Sequence, residues 1–330
     1  MFILSTVTYI AFAIYLYAPY FSSSTKAGYI YPIAMVAAAT GTYLLSRRWV
    51  GSALGRFFAG ALFGFAPLLL GLARYHVTAT LMAAVIPFLF LPAAYCCKTK
   101  WRWLRLPLAA LPFLAIVAFF KLSTGFFALF AVPLNPGVTL NDLAGLSVPL
   151  VAAKRGFVTL GLYHVPVAGL IVGLSIVVKA RRFGVLAIIA AGILLALFKN
   201  LFEVSWLLWL IPPAMILAIV TAAGLQGLVW AGLPDRKWIL AATFAMAGAA
   251  IVTLLLATRY LQSFAGLGSD YGRVFIRTAW MYILAAVATG AIYFIVRSRI
   301  RWHWFRWALL GTAVAGDIFF SAAFIVDKVH

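Results

Sequence analysis

Acidic side chains are almost missing from this chain: six Asp and Glu stand against 26 Lys and Arg in 330 residues. Charge of either sign is scarce, at 10% of residues, where soluble domains carry about 25%. That scarcity excludes a soluble all-α protein, because no stretch of the sequence could form its water-facing surface. So few acids also restrict the available mechanisms. No H-E-x-x-H, G-x-S-x-G or Walker loop occurs, so motif-bearing hydrolase and NTPase readings lack support. The stretch "GLGSDYG", residues 266–272, has the glycines of a nucleotide fingerprint but no strand before it, and reads as a loop.

Cysteine is equally sparse. Cys96 and Cys97 are the only two, they are adjacent, and no CxxC or Cys/His spacing accompanies them. They read as small apolar fillers, not as a redox or metal site. No metal or cofactor is expected. The N-terminus lacks the basic first segment of a secretory signal, and its apolar run is long.

What the chain has in abundance is hydrophobic sequence, 66% of residues, with a mean hydropathy of +1.08. Apolar runs long enough to cross a bilayer are separated by clusters of charge. The expected fold is all-α: a polytopic membrane protein, one transmembrane domain over 1–330, with about eleven helices. They are expected near 2–21, 28–45, 55–73, 77–96, 104–120, 157–178, 183–198, 204–230, 237–258, 274–296 and 304–326. The 121–156 connection is too apolar for a water-exposed loop. It predicts a short interfacial helix capped by Asn141 or Asp142, with a re-entrant segment as the other option.

The net charge of +20 would suggest nucleic acid in a soluble protein. Here the cations flank apolar runs beside Trp and Tyr, where they meet anionic headgroups, so no nucleic-acid partner is expected. Sixteen of the 26 cations fall in alternate connections, including Arg47, Arg48 and Arg56, then Lys179, Arg181 and Arg182. The positive-inside rule places those connections in the cytoplasm, with the N-terminus inside and the C-terminus outside. A bacterial inner membrane is the expected location.

Individual residues give a short set of candidates. Asp317 is the one acid deep in a span, and its expected partner is Arg277 in the preceding antiparallel helix, as a structural ion pair. "RSRIRWHWFRW" alternates cations with aromatics; Arg297, Arg299, Arg301, Arg306, Trp302 and Trp304 are expected to contact lipid headgroups. His164 is the only histidine well inside a span and is expected to bond a backbone carbonyl. A haem would need it paired with His76. Lys199 and Glu203, the only glutamate, read as a membrane-surface pair, and Pro212 and Pro213 predict a kink two turns into the span from 204.

From 157 onward the sequence resembles the later helices of the GT-C superfamily of polyprenyl-phosphate-sugar-dependent glycosyltransferases. The residues that carry this are Lys179, Arg181 and Arg182, then Lys199, Ile211-Pro212-Pro213 and Gly224-Leu225. Earlier, "FAPLLLGLARYHVTATLMAAVIPFLFL" is similar to the family's Pro- and Arg-bearing helix hairpin. The resemblance implies an integral membrane scaffold and a polyprenyl-phosphate partner. The chain departs from the family at its acids: the first outer loop, "SSSTKA", has none, and neither do Thr78 and Ala79. Only Asp142, Glu203 and Asp270 stand outside to substitute, and Asp142 and Glu203 are the catalytic candidates. The expected function is a non-catalytic membrane subunit or scaffold of a larger complex, with other membrane subunits and anionic lipids, including a bound phospholipid, as partners. A GT-C-type transferase is the alternative, and a transporter the third reading.

Overall fold

The computed structural model describes residues 1–21, 27–72, 77–95, 104–126, 162–198, 202, 204–264, 270–298 and 302–329. The described residues form helices and short connections, with no strand among them. The helices are α1 (Phe2–Tyr17), α2 (Ala27–Ser46), α3 (Ala53–Gly64), α4 (Pro67–Leu72), α5 (Val77–Tyr95) and α6 (Arg105–Phe126). They continue as α7 (Pro166–Lys179), α8 (Phe183–Leu197), α9 (Trp206–Trp209), α10 (Ile211–Trp230), α11 (Arg236–Phe264), α12 (Asp270–Arg297) and α13 (His303–Val329). Among the described residues, nine helical stretches are long and apolar enough to cross a membrane. Two further apolar helices, α7 and α8, have 14 and 15 residues. At 1.5 Å per residue each is roughly 21–22 Å long, short of the ~30 Å hydrocarbon layer.

Proline explains where the long runs break. Ala66 precedes Pro67, which disfavours helix at Ala66, so the expected run 55–73 divides into α3 and α4. Pro166 starts α7, so the expected helix 157–178 is interrupted at 162–165, with His164 in the turn before Pro166; 157–161 lie outside the described residues. Pro212 and Pro213 lie in the first turn of α10. They form no mid-span kink: the helix breaks at Leu210 instead, and at its start the missing N–H groups cost nothing.

The core is α10 with α3 and α4 around it; 83% of the apolar stretch of 206–230 and 78% of that of 53–72 are buried. Against α10 lies α7, at a distance set by glycine. A Cβ on Gly224 would stand 1.8 Å from the Gly169 carbonyl oxygen, and one on Gly173 would stand 2.1 Å from that of Val220. Gly169 and Gly173 form a GxxxG pair, so the two backbones approach as small-residue stripes allow in membrane helices. At the periphery, α11 and α12 pack as a long hairpin, joined by a Thr243–Thr289 hydroxyl hydrogen bond of 3.1 Å.

Contacts place the basic connections at one end of the bundle. The Gln226 side chain of α10 accepts from the Gly51 and Ser52 N–H groups at 3.0 and 3.2 Å, and Ser52 caps α3. The Arg47 guanidinium lies over the Phe2 ring, and the Lys179 ammonium lies over Trp238. At the other end, the Tyr20 hydroxyl donates to Asp327 at 3.0 Å.

Candidate functional site

Asp317 lies near the middle of the 27-residue α13, fully buried, so a partner for its carboxylate must come from another helix. That partner is the start of α7. The His164 Nδ1 stands 2.9 Å from Asp317 Oδ1, and the Val165 N–H donates to Oδ2 at 2.7 Å. Ser321, one turn along α13, donates to Oδ1 at 3.1 Å. A carboxylate only accepts, so Nδ1 is the histidine's donor atom. Its Nε2 is buried without a hydrogen-bond partner among the described residues. The edge of the ring meets Tyr282 of α12, with centroids 5.1 Å apart and planes at 86°.

The arrangement follows from the break in the chain. Tyr163, His164 and Val165 are non-helical yet buried, a combination tolerated at membrane depth only inside protein. The first N–H groups of α7 have no carbonyl four residues back, and the positive end of the helix dipole lies there. Asp317 supplies the acceptor and the opposite charge together. Beside it, the break between α3 and α4 frees the Phe65 carbonyl, which accepts a hydrogen bond from the buried Tyr163 hydroxyl. Two interrupted helices are thus tied by Tyr163, and α7 is tied to α13 by Asp317.

The expected Asp317–Arg277 pair does not form. Arg277 lies nearer the other end of α12, donates to the Phe320 carbonyl at 3.2 Å and sits over the Phe320 and Phe324 rings. Nor does His164 bond a backbone carbonyl, because a carboxylate stands closer and accepts more strongly. His76, which a haem would require, lies outside the described residues.

Arg306 is a second correction. It is 3% exposed, and its guanidinium donates to the Val229 and Ala231 carbonyls at 3.0 and 2.8 Å. The end of α10 leaves carbonyls without helical partners, and Arg306 fills that role in place of a headgroup contact. Trp302 and Trp304 are exposed with rings 6.3 Å apart, and Arg297 is exposed in the last turn of α12. Arg299, Arg301, Asp142, Lys199 and Glu203 lie outside the described residues, as does 127–156 of the expected interfacial helix; 121–126 belong to α6.

No family model, curated protein or solved structure matches the chain. Its chemistry is therefore read from its own groups. Among the described residues, no three His, Cys, Asp or Glu side chains cluster to hold a metal ion. The deep polar groups are arranged as a hydrogen-bonded joint between helices. The sequence held one signal for it: a histidine in an apolar run, two residues before a proline, requires a buried partner.

Proposed function

We propose that the chain is an integral membrane protein serving as a non-catalytic subunit or scaffold of a larger membrane complex. The observation that supports this is the closed hydrogen bonding of Asp317: both oxygens are occupied by groups that hold helices in place. An acid so engaged fastens the bundle instead of meeting a substrate. Large apolar side chains such as Phe244, Trp280 and Phe294 project from α11 and α12, toward lipid or neighbouring subunits. In this reading the membrane is a bacterial inner membrane, with the basic end of the bundle in the cytoplasm. Purification from native membranes in mild detergent tests it. Stoichiometric partners are expected, and a clean monomer overturns the subunit reading.

A transporter is the second reading, favoured by helix breaks that meet at mid-depth around an acid and a histidine. It requires solute flux in vesicles that Asp317→Asn abolishes without loss of folded protein. The transferase reading rests on the GT-C resemblance and on Asp142 or Glu203 as its acid. Turnover of a polyprenyl-phosphate sugar, lost in Asp142→Asn or Glu203→Gln, would establish it.

A further inference from the structure

One atom of the deep polar cluster is left over. His164 donates through Nδ1 to Asp317, while its Nε2, buried with the rest of the ring, has no hydrogen-bond partner among the described residues. Native structures pair nearly all their buried polar atoms, so an imidazole lone pair held open at membrane depth calls for an occupant. The surrounding helices supply polar side chains from one direction. On α12, Thr278 stands one turn before Tyr282 on the same face, and on α13 Ser321 stands one turn beyond Asp317. All four are buried, and the Thr278 hydroxyl, like Nε2, is without a hydrogen-bond partner among the described residues. The two helices are antiparallel, so Thr278 and Ser321 both lie toward the Asp270 end of α12 and the Val329 end of α13, away from the basic clusters. In the other direction Ala285 and Ala288 of α12 and Ala313 and Val314 of α13 follow, none of which can pass a proton.

Among the described residues, Asp317 and Tyr282 are the charged and titratable side chains that meet the ring. Tyr163, the residue before it, donates to the Phe65 carbonyl and has Tyr17 of α1 beside it. Arg277, on the outer side of Tyr282 along α12, donates to the Phe320 carbonyl. With the ring neutral, the Asp317–His164 pair carries one negative charge at a depth where net charge is costly. A proton on Nε2 makes the pair neutral overall. The Tyr282 ring, 5.1 Å away and nearly perpendicular, lies within the ~6 Å at which an aromatic ring stabilises a cation. A metal ion would need further ligands, and no such group of ligands occurs among the described residues.

We propose that His164 Nε2 is a proton-binding site that exchanges with water through Thr278, from the end of the bundle opposite the basic clusters. In the binding step a hydronium ion gives its proton to the Nε2 lone pair and leaves as water, while the Nδ1–H bond to Asp317 stays intact. The site goes beyond the subunit reading and stands without it, because a joint that fastens α7 to α13 through Asp317 uses only Nδ1 of the ring.

The test is deuterium exchange of the imidazole C2 hydrogen, read by mass spectrometry on the peptide carrying His164 after incubation of the full chain in detergent and heavy water. That exchange passes through the doubly protonated ring and needs water at it, so its rate reports both proton binding at Nε2 and access. Between about pH 5 and 8, His164 is expected to exchange within about tenfold of its rate in the denatured chain, with a single step in the pH profile. Thr278→Val should slow it at least tenfold, and Thr278→Ser, which restores the hydroxyl, should recover the parent rate. Thr80→Val removes an equally buried, unpartnered hydroxyl on α5 and should leave the rate unchanged. Thermal unfolding identifies variants that fail to fold; if Thr278→Val is among them, Thr278→Ala against Thr278→Ser decides. Exchange in the parent slowed by more than tenfold overturns the site. A folded Thr278→Val or Thr278→Ala that exchanges as the parent does overturns the route, and so does equal slowing by Thr80→Val.

Discussion

Replacing Asp317 should destabilise the bundle more than any other single polar deletion, and the structure allows the size to be worked out. The carboxylate accepts three hydrogen bonds, from His164, Val165 and Ser321. Hydrogen bonds to charged groups contribute about 1.5–3 kcal/mol each. Deleting one partner of a buried pair costs roughly 3–5 kcal/mol, because the survivors stay buried. Asp317→Leu leaves the Val165 N–H and His164 Nδ1 without acceptors and should cost about 4 kcal/mol. Asp317→Asn is subtler. Its oxygen can serve Val165 while its amide faces Nδ1, but only if the imidazole proton moves to Nε2, where no acceptor stands among the described residues. One buried donor is then unsatisfied, and the cost should be about 1–3 kcal/mol. A double-mutant cycle with His164→Phe, read by reversible detergent unfolding, should give a coupling of about 1 kcal/mol or more. Coupling within about 0.3 kcal/mol of zero, or an Asp317→Leu protein as stable as the parent, would refute the reasoning.

Three further changes probe separate parts of the fold. Gly224→Ala places a methyl 1.8 Å from the Gly169 oxygen, so α7 and α10 must part, at a cost of roughly 3 kcal/mol or more in thermal unfolding. Gly248→Ala, where an added Cβ meets nothing within 4 Å, should be neutral or slightly stabilising; equal behaviour of the two removes the close-packing account. Arg306→Met deletes the donors to Val229 and Ala231 and should cost about 2–4 kcal/mol while leaving anionic-lipid retention unchanged. Lost lipid with intact stability would return Arg306 to the headgroup role. Arg181→Gly relieves the left-handed backbone at φ 50° and should stabilise by about 0.5–1 kcal/mol; a lower unfolding temperature would count against it.

The apolar runs and basic clusters were legible in the sequence because hydropathy and charge are local properties. The expected runs overlap helices among the described residues, nine of them long and apolar enough to cross a membrane, and Arg47, Lys179 and Arg182 mark one end as their clustering suggested. The breaks were less legible. A proline in an apolar run can kink a helix, start one or end one, and hydropathy does not distinguish these outcomes. Pro67, Pro166 and Pro212 each mark a helix start. The partner of Asp317 was misassigned because adjacency along the chain favoured Arg277, whereas tertiary packing brings His164 from 153 residues away. Arg306 looked like its neighbours in a basic cluster; only the position of the α10 terminus makes it internal.

The joint between α7 and α13 also bears on how the chain is made. The first 179 residues emerge from the ribosome carrying α7, a helix shorter than the ~30 Å hydrocarbon layer, with its polar start at His164 and Val165 still lacking Asp317. The acceptor that completes it arrives about 150 residues later, on the last helix. Until α13 inserts, the interrupted segment must borrow water, lipid headgroups or a chaperone for its hydrogen bonds. A chain shortened ahead of Asp317 would therefore leave the Val165 N–H without the acceptor that α13 supplies.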